Sequence, residues 1–144
     1  MSSPAIDLVT VGKNKPLGSN RLLIVDDEVG ITHVIESAAC ELGFESLAIH
    51  ETEQFEEALQ TIKPTIIFLD ISMPTRDGMD LIACLSAWNY PGRVVIMSGH
   101  PLYLKMSSLI ADARGLRLAY LLAKPFRKQQ ILDLLLDLAE RPTE

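Results

Sequence analysis

The sequence predicts an α/β domain: a doubly wound, five-stranded parallel sheet with helices on both faces. Short apolar-rich runs recur along the chain and stop abruptly at polar or charged residues, as strands buried on both faces do. Between the runs, apolar residues return at helical spacing. Regular alternation of the two patterns points to a parallel sheet, because right-handed crossovers place helices on both sides.

Leu22-Leu23-Ile24-Val25 is the first strand and stops at Asp26-Asp27-Glu28. Ile31, Val34, Ile35, Ala38 and Leu42 form the first helical stripe, closed by Gly43. Ser46 to Ile49 is the second strand, and Phe55, Ala58, Leu59 and Ile62 the next stripe, ended before Pro64. Thr65 to Leu69 is a third strand, stopping at Asp70. Leu81, Ile82, Leu85 and Trp88 mark a third helix, closed by Pro91-Gly92. Val94 to Met97 is a fourth strand, stopping at Ser98-Gly99. Pro101 can open a fourth helix over roughly Leu102 to Ala113. Leu118 to Ala123 is the fifth strand, stopping at Lys124-Pro125, and Ile131, Leu134, Leu135 and Leu138 give the last helix.

The chain of 144 residues, 48% apolar, fits one domain with an ordinary core, placed here at residues 21–141. Residues 1–20 are rich in Ser, Pro, Gly, Asn and Lys, with one apolar patch from Ile6 to Val11. They read as a flexible arm, or a short added strand or helix. They lack the charged flank and apolar centre of a secretory signal. Lys13-Asn14-Lys15 follows Gly12 without the spacing of a P-loop. A net charge of -6 argues against nucleic acid or an anionic membrane as this domain's direct partner. No apolar run approaches the ~20 residues of a membrane span. Cys40 and Cys84 make neither a disulfide framework nor a metal-like spacing, so buried free thiols in a reducing cytoplasm are expected.

Ligands of open parallel sheets bind outside the carboxyl ends of the strands. The residues found there are Asp26 and Asp27 after the first strand, Asp70 after the third, Ser98 after the fourth and Lys124 after the fifth. Carboxylates ~4 Å apart repel by about 4 kcal/mol per pair at an effective dielectric near 20. Such a cluster protonates or holds a cation. Oxygen ligands alone favour Mg²⁺ or Mn²⁺. The metal and Lys124 together bring the three carboxylates near neutrality. An aspartate can also attack phosphorus to give an aspartyl-phosphate, with the metal, Lys124, the Ser98 hydroxyl and backbone N–H groups spread over the phosphoryl oxygens.

Four segments together resemble the receiver domain of two-component response regulators. They are Leu22 to Glu28; Ile67 to Pro74 with Asp77-Gly78 after it; Val95 to Gly99; and Lys124-Pro125-Phe126, in the family's order and spacing. The resemblance covers about residues 20–140. It implies a flavodoxin-like receiver fold, with Asp70 as phosphoacceptor and Asp27 as a direct metal ligand. Asp26 would bind metal directly or through water, and Ser72 through its backbone carbonyl. Ser98 resembles the switch hydroxyl and Lys124 the phosphate-binding lysine, with a cis Lys124-Pro125 bond. The implied phosphodonor is a histidine kinase or phosphotransfer protein. The implied output is a downstream domain or protein reached through the fourth helix, fifth strand and fifth helix, a surface that also serves homodimers.

One position departs from the family pattern. The aromatic expected three residues before the lysine is Leu121 here, and Tyr120 should face the other side of the strand. Either Leu121 moves little and the fourth-helix region carries the signal, or a bulge brings Tyr120 inward. The runner-up function is a receiver-like scaffold that binds partners without phosphorylation. An aspartyl phosphohydrolase is disfavoured, because Ser72 stands where its second acid would be. Taken singly, these residues also have plainer readings. Asp26-Asp27 could cap a helix, Asp70 could form a turn, and Ser98 or His100 could cap the Pro101 helix. His33 and His50 read as surface residues and Trp88 as packing. Leu132 and Leu136 read either as deeper core or as an interface. The chain is either a stand-alone regulator or the receiver part of a longer protein.

Overall fold

A computed structural model describes residues 20–72 and 78–140. The arm, apart from Asn20, lies outside the described residues, as do Met73-Pro74, Asp77 and Arg141. The elements alternate as the sequence predicts: β1 (Arg21–Val25), α1 (Val29–Glu41), β2 (Glu45–Ile49), α2 (Phe55–Ile62), β3 (Ile66–Asp70), α3 (Gly78–Ala87), β4 (Arg93–Ser98), α4 (Pro101–Ala113), β5 (Tyr120–Ala123) and α5 (Lys128–Glu140). A short 3₁₀ turn, Thr52–Gln54, leads into α2.

The five strands form one parallel sheet in the order β2-β1-β3-β4-β5. The chain steps outward from β1 to β2, returns to β3 on the other side, and continues to β5. The order therefore reverses between β1 and β3, and a crevice opens there above the carboxyl ends.

Alternate strand residues feed two cores. Leu22, Ile24, Phe68, Val95, Met97 and Leu122 pack against α1 and α5 through Ile35, Ala38, Ile131 and Leu135. Leu23, Val25, Ile67, Leu69, Val94 and Ile96 pack against α2, α3 and α4 through Phe55, Ala58, Leu81, Ile82, Leu85 and Ala111. Each fully buried Leu, Ile or Phe contributes on the order of 1.5–3 kcal/mol. Leu132 and Leu136 lie half-buried against the first core, which accounts for the extra apolar residues of α5.

Several local expectations shift. Asp70 and Ser98 do not follow their strands but end them, paired in register with Met97 and Ala123. β5 begins at Tyr120 rather than Leu118, because its pairing with β4 runs only from Val95 to Ser98. Gly43 does close α1, with a positive φ of 80° and Phe44 N–H bonded back to Ala39 O at 2.9 Å. Cys40 is exposed and Cys84 half-buried, correcting the expectation of buried thiols; α1 turns Cys40 away from the core that Ala38 and Ala39 enter. Trp88 is 48% exposed and lines a shallow groove with Tyr90 and Pro91 below the other end of the sheet.

Candidate functional site

β1 and β3 run side by side, with Val25 opposite Leu69, so the residues that end or follow them meet. Carboxylate oxygens of Asp26, Asp27 and Asp70 lie within 4.8 Å of one another. Asp26 and Asp70 are buried and Asp27 is exposed, so the cluster has an inner wall and a solvent edge.

Lys124, carried to the same rim by β5, turns its amine into this cleft. Its Nζ lies 2.8 Å from Asp26 Oδ2 and 3.6 Å from Asp70 Oδ1. Asp26 Oδ2 is buried, and the Lys124 ammonium is its partner. Nζ does donate a hydrogen bond to Glu28 Oε1 at 2.9 Å. Burial pulls the Lys124 amine down, but its contacts with Asp26 and Glu28 and the charges of Asp70 and Asp26 outweigh that and hold it above its usual value. Burial raises the Asp26 carboxyl from 3.8 to about 6; Asp70 pushes the same way, against Lys124 and the Glu28 N–H, which donates to Asp26 Oδ1 at 2.9 Å.

Three donors or charges converge on Asp70 Oδ1. Ser72 gives its N–H at 3.1 Å and its hydroxyl at 2.9 Å, and Lys124 is the third. Ser98 is fully buried at the end of β4. Its Oγ accepts the His100 N–H at 3.0 Å, and its carbonyl accepts the Lys124 N–H at 2.9 Å. The Lys124-Pro125 bond is cis.

The residues present fit a hard divalent cation. They offer carboxylate oxygens from two strands within 4.8 Å of one another, two of the three residues being buried, and oxygen donors alone suit such an ion. Asp26, Asp27 and Asp70 would hold the ion.

Every sequence-predicted acid therefore reaches the same crevice, and so does the amine. The plainer readings fare differently. The N-cap of α1 is Glu28, not Asp26 or Asp27. His100 occupies the N-cap position of α4 without a side-chain cap, its ring stacked on Tyr103 at 4.6 Å. His50 is exposed, yet its Nδ1 lies 2.9 Å from Asp26 O. Leu121 pairs with Ile96 in an unbroken register, so no bulge brings Tyr120 inward. Tyr120 instead lines a groove with Leu134 and Asp137 of α5. Sequence reasoning missed two contributors: the Glu28 side chain, read only as the end of a strand, and the Ser72 hydroxyl. The acidic run Asp26-Asp27-Glu28 was the one available signal for Glu28.

Residues 22–136 match the family model for the response regulator receiver domain. The chemotaxis protein CheY of Listeria monocytogenes is 30% identical over 118 residues, covering 80% of this chain and 94% of that protein. The transcription regulator BvgA of Bordetella pertussis is 32% identical over 85 residues, covering 57% of this chain and 40% of BvgA. Among solved structures, a response regulator receiver domain from Bermanella marisrubri superposes with a TM-score of 0.69 at 28% identity, covering 82% of this chain and 96% of that one.

Proposed function

The chain belongs to the response regulator receiver family, and from that membership we propose that it is a phosphorylation switch whose acceptor is Asp70. One observation carries this reading: an ammonium, 11% exposed, stands between two buried carboxylates at the topological switch point.

The phosphodonor is a phosphohistidine of a histidine kinase or phosphotransfer protein. Asp70 Oδ2, to which the Ser72 donors are not directed, attacks phosphorus; the phosphorus–nitrogen bond breaks and the imidazole leaves with its electron pair. Asp26, Asp27, Asp70 and the Ser72 carbonyl would hold Mg²⁺ or Mn²⁺, which would supply neutralising charge. Lys124 takes one phosphoryl oxygen. Ser98 gives up the His100 N–H and turns its hydroxyl to another. Because α4 starts three residues after Ser98, its N-terminus follows. The surface of α4, β5 and α5 then changes its affinity for an output domain, a separate protein or a second copy. Leu102, Met106 and Leu109 on α4, with Tyr120 and Leu121 on β5, are exposed there and give that surface apolar character. With Leu121 in place of an aromatic, α4 rather than a ring rotation transmits the state. We place the unit at residues 21–141 in the cytoplasm; no described helix is long and apolar enough to cross a membrane.

Asp70→Asn tests the assignment. The wild type should gain one phosphoryl mass from acetyl phosphate in Mg²⁺, and the variant none. Equal labelling of the variant removes Asp70 as acceptor. An unlabelled wild type favours a phosphorylation-independent scaffold.

A further inference from the structure

We propose that Glu28 is a positioning residue, a built-in competitor that holds the Lys124 ammonium until a phosphoryl group on Asp70 takes it. The inference rests on Asp70 being the phosphoacceptor.

The argument begins at the start of α1. Glu28 is the N-cap residue, a place where short side chains are favoured because they bond back to the helix. Its side chain makes no such bond. It crosses the mouth of the crevice instead, to a lysine 96 residues away in sequence, and accepts its hydrogen bond at 2.9 Å. The backbone below is fixed, since the Glu28 N–H is held by Asp26 Oδ1 at 2.9 Å.

The ammonium has three donors. Three carboxylates surround it: Asp26 at 2.8 Å, Glu28 at 2.9 Å and Asp70 at 3.6 Å. An incoming phosphoryl group needs one of those donors. Asp26 is fully buried, so it cannot exchange the ammonium for bulk water. Glu28 is 62% exposed and can exchange the ammonium for water at little cost. Of the three partners Glu28 is the one able to leave. While it stays, it adds negative charge at the entrance for an anionic donor.

Compare the wild type, Glu28→Gln and Glu28→Ala as full chains at saturating Mg²⁺. The initial rate of labelling by acetyl phosphate should rise about threefold in Glu28→Gln and further in Glu28→Ala, the scale of one exposed ion pair. Mg²⁺ affinity, read by calorimetry, should move the other way and weaken, because a negative charge has left the site. A purely structural role for Glu28 would move both readouts downward together. The rate gain should shrink at roughly 0.5 M salt without disappearing, because screening removes long-range steering but only weakens a contact pair. Unchanged or slower labelling of both variants overturns the inference, as does a gain that vanishes in salt. If the wild type itself is not labelled, the phosphoacceptor reading falls and takes this inference with it.

Discussion

Lys124→Met is the sharpest probe of the crevice, because methionine keeps most of the stem and deletes only the ammonium. At 2.8 Å and an effective dielectric of 20, the attraction to Asp26 is about 6 kcal/mol; at 3.6 Å that to Asp70 is about 5 kcal/mol. Withdrawing the ammonium from water opposes these by several kcal/mol. Glu28 adds at most about 1 kcal/mol, because its carboxylate is in solvent. The net loss in metal-free protein near pH 8 should be about 3–5 kcal/mol, the range for breaking a buried pair and stranding its partner. The pH dependence is the discriminating part. Asp26 titrates near 6 in the folded wild type, and without Lys124 it must titrate higher. A raised carboxyl stabilises the fold fully below its unfolded value and loses that contribution as pH rises through its folded value. The deficit should therefore shrink to about 1–2 kcal/mol near pH 5.5, where Asp26 is largely neutral in both proteins. Urea unfolding followed by circular dichroism, in chelator, reads both values. An equal deficit at the two pH values would refute the electrostatic account and leave only packing.

The raised Asp26 carboxyl also links metal to proton. Mg²⁺ affinity should be flat above about pH 7 and fall toward tenfold per unit below 6, because a proton must then be displaced; calorimetry in buffers of different ionisation heat would detect the released proton. By the same linkage, this one carboxyl should add about 2.5 kcal/mol to the metal-free protein between pH 7 and 4, and a urea series in which Asp26→Asn shows the same pH dependence as the wild type would contradict it. Away from the site, a Cβ on Gly92 would press on the Tyr90 ring and lie 2.7 Å from Thr65 O. Tyr90 cannot yield freely, since its hydroxyl donates to Pro64 O at 2.7 Å, so Gly92→Ala should destabilise by about 1–3 kcal/mol in thermal or urea unfolding.

Much of the fold was legible because a parallel sheet writes its strands as apolar runs and its rim as the residues where they stop. The runs Leu22 to Val25 and Ile66 to Leu69 are fully or almost fully buried, so composition alone marked them. Polarity misplaced their ends: Asp70 and Ser98 still pair with Met97 and Ala123 although their side chains belong to the crevice. At β5 the error ran the other way. Leu118 and Ala119 look like strand, but the residue-by-residue pairing with β4 starts only at Tyr120, and Ala119 N–H makes a single bond to Val94 O at 2.7 Å ahead of it. Cys40 was misjudged from residue habit, while helix phase put it opposite Ala38 and Ala39. The acids were readable because strand tips share one rim. The bond from Glu28 to Lys124 was not, since nothing in a one-dimensional pattern says which residues 96 apart will meet.

The crevice is also tied by backbone bonds to elements well beyond Asp70. Its carboxylates come from β1 and β3, neighbours only because the strand order reverses between them. The amine comes from β5, two strands from β3, and the intervening tip is Ser98. Ser98 and Lys124 are not independent, because the Lys124 N–H is bonded to the Ser98 carbonyl at 2.9 Å while the Ser98 hydroxyl holds the His100 N–H at 3.0 Å. Any pull on the Lys124 amine or on the Ser98 hydroxyl is thus applied to one connected strip of backbone that ends at the first turn of α4. That turn carries Leu102 and Tyr103 into solvent. Few groups stand between the crevice and that apolar surface, and each is tied to the next, which is the route the proposed switch would use. Cutting the hydroxyl link with Ser98→Ala should therefore spare labelling of Asp70 more than it spares any phosphorylation-dependent change in α4 amide exchange; loss of both in equal measure would place Ser98 in the chemistry alone.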